Sequence, residues 1–107
     1  MKVRLLAESP LVFEDHNVQA REMYEKSGTT VVHLILEKDG VFPPVAQPDD
    51  VFMYILTGRG RVTVGEHSFD VEADTLIKCP IDIPHGAENT GKDILAILMV
   101  KTPTSTP

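Results

Sequence analysis

The sequence predicts an all-β domain, a sandwich or a barrel. Short apolar runs rich in β-branched residues recur along the chain. Turn signals separate them, at Ser27-Gly28, Lys38-Asp39-Gly40, Gly58, Gly65-Glu66 and Pro80. Almost nothing between these signals reads as helix.

The elements follow in order. The N-terminal "MKVRLLAESPLVF" carries Val3, Leu5, Leu6, Leu11, Val12 and Phe13, enough apolar side chains for a strand. That strand either joins a partner chain or packs on its own barrel. "NVQAREMYEK" reads as a strand or a short helix, with Val18, Ala20 and Met23 apolar. "TVVHLILEKDG" is a strand of β-branched and apolar residues, stopped by Lys38-Asp39-Gly40. Its Val32, Leu34 and Leu36 form the fully apolar face, which places His33 outward with Val31, Ile35 and Glu37. Pro43, Pro44 and Pro48 impose an extended, irregular segment. "VFMYILTG" is the next strand, and "RVTVGEHSFDVEA" a hairpin turning at Gly65-Glu66. "TLIKCP" is a strand ended by Pro80, and "IDIPHGAENTG" reads as a loop. "DILAILMV" is a last strand, apolar on both faces and so expected to be sandwiched. About seven or eight strands result. Residues 1–17 form an extension, 18–100 the barrel, and 101–107 a tail expected to be disordered.

The totals bound the function. A chain of 107 residues suffices for one core. Ten Lys and Arg against sixteen Asp and Glu give a net charge of −6, which argues against nucleic acid and anionic membrane as partners. One cysteine, Cys79, allows no disulfide framework, and its expected place is the core. The first residues hold too short an apolar run for a signal peptide, and the default location is cytoplasmic.

The order of pieces resembles a small single-domain cupin, a jelly-roll β-barrel, over roughly Val18 to Val100. The first motif of that family is glycine, five residues, His-x-His, a few residues, Glu, six residues, Gly. Here it opens at Gly40 and closes at Gly58, keeping Pro43, Pro44 and Pro48. The two histidine positions fall on Val45 and Gln47, and the glutamate position on Val51. The second motif, Pro-x-Gly-x-x-His followed by Asn, lies on Pro80-Ile81-Asp82-Ile83-Pro84-His85 and Asn89. Asp82 replaces a glycine, and the leading glycine position falls on Asp74. The resemblance therefore implies a degenerate metal site with one retained ligand, His85.

Valine ligates nothing, and Gln47 offers a weak oxygen. No cofactor is expected. The alternative is a divalent transition metal held by a rearranged set drawn from Asp49, Asp50 or His33. Asp50 would need a register shift that turns the whole strand over. Pocket-lining candidates are Val45, Gln47, Val51, Met53, Ile55 and His85; Tyr54 falls on the opposite parity. His16 and His67 are expected to be solvated. These residues suggest a metal-free small-molecule site, with no catalytic set assigned. Two alternatives stay open: a metal-dependent or His85-based enzyme of oxygenase or isomerase type, and a filled barrel with a structural role. The resemblance also implies a homodimer.

Overall fold

The structure, a computed structural model, describes residues 3–15 and 17–103. Its strands are β1 Leu11–Asp15, β2 Val18–Lys26, β3 Thr29–Leu36, β4 Val41–Val45, β5 Asp50–Thr57, β6 Arg59–Val64, β7 His67–Glu72, β8 Leu76–Cys79, β9 His85–Asn89 and β10 Leu95–Thr102. A 3₁₀ turn at Leu6–Glu8 precedes them. Two antiparallel sheets face each other, one ordered β1-β2-β3-β10-β5-β8 and the other β4-β9-β6-β7.

Alternation fixes the inner faces. On β5, Val51, Met53 and Ile55 are buried while Asp50 is exposed. On β3, Leu34 and Leu36 are buried and meet Ile97 and Leu95 of β10 across the ladder, while the buried Met99 stands opposite Val32. Val62, Val64, Val71 and Ala87 complete the core from the opposite sheet. His33 sits on the outer side of β3, as its parity requires.

Three sequence readings are corrected. Residues 85–89 form strand β9 and not a loop, paired to β4 on one side and β6 on the other. Its "HGAEN" has neither β-branched residues nor apolar alternation, so nothing local announces it. A side chain at Gly86 would place Cβ 2.7 Å from the Phe42 carbonyl oxygen, so close strand approach there requires glycine. The proline segment is likewise a strand, β4, with a register shift between Phe42 and Val45 where the prolines interrupt the ladder. The tail starts later than residue 101, because Lys101 and Thr102 extend β10 by pairing with Val51 and Asp50. Residues 104–107 and His16 lie outside the described residues. "NVQAREMYEK", open between strand and helix, is strand β2.

The two side edges of the sandwich differ. At the β1/β4 edge, the Phe13 and Phe42 rings meet edge to face, with centroids 5.8 Å apart, and shut the space between the sheets. At the β7/β8 edge no such ring pair bridges the two sheets among the described residues. The chain passes between those strands through Asp74, which adopts φ 64°. Asp82 likewise adopts φ 61°. Both stand at glycine positions of the second motif, and aspartate is among the few other residues that tolerate this left-handed conformation.

Candidate functional site

An open groove of about 500 Å³ runs between the sheets along the β7/β8 edge. Val64, Phe69, Val71 and Ile77 form its apolar floor, with Pro80 at one end. These side chains share the inner face, because each stands in register with a buried partner: Phe69 with Val62, Val71 with Gly60, and Ile77 with Met53. Phe69 stays 47% exposed despite facing inward, so this edge of the core is open to solvent. His67 and Lys78 supply polar points at the rim. His67 is exposed, as expected, and its ring lies 6.5 Å from that of Phe69.

His85 lies one cross-strand step from this groove. Val64 pairs with His67 on one side and with His85 on the other, so all three side chains share a face. His85 is 1% exposed. Its Nδ1 lies 3.4 Å from the Ile83 carbonyl oxygen, while its buried Nε2 meets no partner among the described residues. A proton on Nδ1, donated to that carbonyl, leaves Nε2 as a lone-pair acceptor.

The other sequence-derived candidates divide. Val51, Met53 and Ile55 are core residues with 2% exposure or less, so they wall the interior as packing. Val45 stands directly opposite His85 on β4 yet is 42% exposed, because the sandwich is open at this end. Gln47 is half-buried, and its backbone carbonyl accepts the Asp82 N–H at 2.8 Å, tying the "PIDIP" loop to the segment after β4. Ile81 and Ile83 of that loop are more than a third exposed and make this end apolar. The groove residues were not foreseen. Phe69 and Val71 alternate with the polar Ser68 and Asp70, a pattern that marks an inner face but not an open one.

The donor set does not fit a resident transition-metal ion. His85 offers one nitrogen, and the side chains of Val45 and Val51 are hydrocarbon. Asp50 and His33 lie on faces turned away from His85. Among the described residues, no three His, Cys, Asp or Glu side chains gather as a binding group. Tyr54 also points outward, donating its hydroxyl to Asp74 Oδ1 at 2.9 Å.

Burial holds both His33 and His85 below the ordinary imidazole value of 6.5; for His85 the Ile83 carbonyl pulls the other way. With the folded value lowered, the unfolded chain takes up protons first. The stability contributed by neutral rings is therefore complete above about pH 6.5 and is lost as pH falls through the folded values. The urea midpoint is expected to drop between about pH 7.5 and about pH 5.5, and a His85→Phe variant to lose much of that drop. An unchanged pH slope in the variant would place the sensitivity elsewhere. Burial also raises the Cys79 thiol to about 11, which keeps it protonated and unreactive at neutral pH.

Comparison with known proteins gives the fold a context. A family model described as a Cupin domain matches residues 32–101. No curated protein matches the sequence. A solved structure described as a predicted oxalate decarboxylase from Thermotoga maritima superposes with a TM-score of 0.86 at 16% identity, covering 96% of this chain and 100% of that one. The polyketide cyclase RemF from Streptomyces resistomycificus superposes at 0.81 and 17% identity, covering 100% of this chain and 82% of its own. KdgF from Halomonas sp. gives 0.81 at 15% identity, covering 98% and 96%. At such identities the likeness concerns the fold alone.

Proposed function

The chain belongs to the cupin domain family, and from that premise we propose that it binds a small, mainly apolar molecule between its sheets without metal-dependent catalysis. The observation that carries this reading is the solvent-open apolar groove of about 500 Å³. That volume falls within the usual range of small-molecule sites, roughly 300–1,000 Å³. The acceptor lone pair on His85 Nε2 favours a ligand bearing a hydroxyl or N–H donor.

The test combines binding with metal content. The environment-sensitive probe anilinonaphthalene sulfonate is expected to gain fluorescence with the wild-type protein. Val71→Trp, which fills the groove from a position 7% exposed, is expected to weaken that binding by about tenfold or more. Elemental mass spectrometry on untagged, chelator-free protein is expected to find far less than one Fe, Mn, Ni or Zn per chain. Probe binding unaffected by Val71→Trp would sink the groove reading. Stoichiometric metal that disappears in His85→Ala would sink the metal-free reading.

A second reading rests on the same nitrogen: a metal-free acid–base enzyme using His85. It needs a second proton-transfer group, and Tyr54 is engaged with Asp74 on the outer side. A reaction whose rate follows a His85 titration and stops in His85→Gln would favour it.

A further inference from the structure

The rim of the β7/β8 groove carries uncommitted positive charge, in a chain whose net charge is −6. Its titratable side chains are His67, Asp70 and Lys78. The carboxylate among them is already engaged. Asp70 Oδ1 accepts from Arg61 Nε and Nη2, each at 3.3 Å. Lys78 has no ion pair among the described residues. Its parity turns it to the outer side of β8, in register with Phe52. But β8 is an edge strand, so the flexible stem bends round that edge and Lys78 lines the groove. Asp50 lies on its far side, outside the groove, and forms no ion pair with it. The polar points also gather at one end. β7 starts at His67 after the Gly65 turn, the chain reverses through Asp74, and β8 returns as far as Cys79. The start of β7 and the end of β8 therefore flank the same end of the groove, where the Gly65 N–H donates to the Pro84 carbonyl at 2.8 Å. His85 stands at that end too, in register with Val64 and buried, its Nε2 without a partner among the described residues. Beyond it the floor is hydrocarbon, from Phe69, Val71 and Ile77.

We propose that the ligand of this groove is an amphiphilic carboxylate, its apolar body on Phe69, Val71 and Ile77 and its head between Lys78 and His67. This rests on the groove reading and adds to it the chemical class of the ligand. The Lys78 ammonium gives a carboxylate a charge-assisted hydrogen bond, and the His67 imidazole offers a second N–H. The apolar walls exclude part of the solvent, so the attraction is screened less than on an open surface. A cationic head meets Lys78 and finds Asp70 already satisfied by Arg61. A neutral head gains the same apolar burial but leaves the ammonium unanswered, so burial supplies affinity and charge supplies selectivity. The acceptor lone pair on His85 Nε2 repels a carboxylate, which keeps the head at the rim and the hydrocarbon inside.

Displacement of anilinonaphthalene sulfonate from the full chain by a matched pair, 1-naphthylacetate and the uncharged 1-naphthylacetamide, tests it at about pH 7.5, where the acid is ionised. By inhibition constant, the acid is expected to compete about fivefold more strongly than the amide. Lys78→Gln, at an exposed position that tolerates the change, is expected to bring the two within about twofold and to leave the amide unaltered. Salt at about 0.5 M is expected to shrink the preference in the same way. Lys92→Gln changes the net charge equally but lies between β9 and β10, and is expected to keep the preference. Equal competition by acid and amide, each weakened by Val71→Trp, overturns the carboxylate proposal and leaves the groove in place. A preference that persists in Lys78→Gln overturns it as well. Competition by both molecules that Val71→Trp leaves untouched removes the groove reading itself, and this proposal with it.

Discussion

Replacing Asn89 by alanine is expected to destabilise the domain by about 3 kcal/mol. Asn89 is 2% exposed and uses its amide fully. Its Nδ2 donates to the carbonyls of Leu36 and Asp93, each at 2.9 Å, and its Oδ1 accepts from the Gly91 N–H at 2.9 Å. One side chain thereby joins the end of β3 in one sheet to the end of β9 in the other and shapes the turn into β10. Alanine removes all three bonds at a position 2% exposed, where water replaces them poorly. Asn89→Asp separates hydrogen bonding from shape. It is nearly isosteric, but it sets carboxylate oxygens against two carbonyl oxygens, so a cost at least equal to that of alanine is expected at neutral pH. Urea unfolding measures both. A loss under about 1 kcal/mol in each variant would mean that solvent takes over these bonds and that the residue is no inter-sheet tie.

Gly58→Ala is expected to have the larger effect, about 4 kcal/mol, a large share of the roughly 5–15 kcal/mol that keeps a typical domain folded. Two costs add there. Gly58 has φ 92°, a conformation that side chains resist. A Cβ at this position would also overlap the Ile94 carbonyl oxygen and lie 2.9 Å from Leu95 Cα, which are backbone atoms that cannot swing aside. Strain of this kind costs about 1–3 kcal/mol and overpacking a similar amount. Gly91→Ala is the matched control, since its nearest contact would be an ordinary 3.4 Å. Equal melting temperatures for the wild type and Gly58→Ala would contradict the observed backbone path between β5 and β6.

Much of the fold was legible in the chain because strand periodicity is local. The alternation in "VFMYILT" placed Val51, Met53 and Ile55 inside and Tyr54 outside, and the structure has them so. His33 on the outer face of β3 follows from the same counting. The readings that failed lacked a local signal. "HGAEN" carries no apolar alternation, and "VFPPV" contains two residues unable to donate to a ladder. Both are strands because their neighbours supply the pairing. The candidate site was half legible for the same reason. His85 was found by its motif, whereas Phe69, Val71 and Ile77 gained their meaning from the edge on which they lie.

Residue type and spacing alone set the all-β class, the inward parity of the central strands, and the hydrocarbon side chains at residues 45 and 51. Each is a property of residue type and of a two-residue period, which a chain carries before it folds. Which side of the sandwich stays open depended on how the two sheets pack. Phe13 and Phe42 shut one edge, while the turn through Asp74 leaves the other unsealed. That packing also decided that Asn89 ties two sheets and that His85 Nε2 is buried without a partner among the described residues. These are relations between residues distant along the chain: Asn89 meets Leu36 across 53 positions. Such contacts exist only once both sheets have formed and excluded the water that would otherwise satisfy the same polar groups.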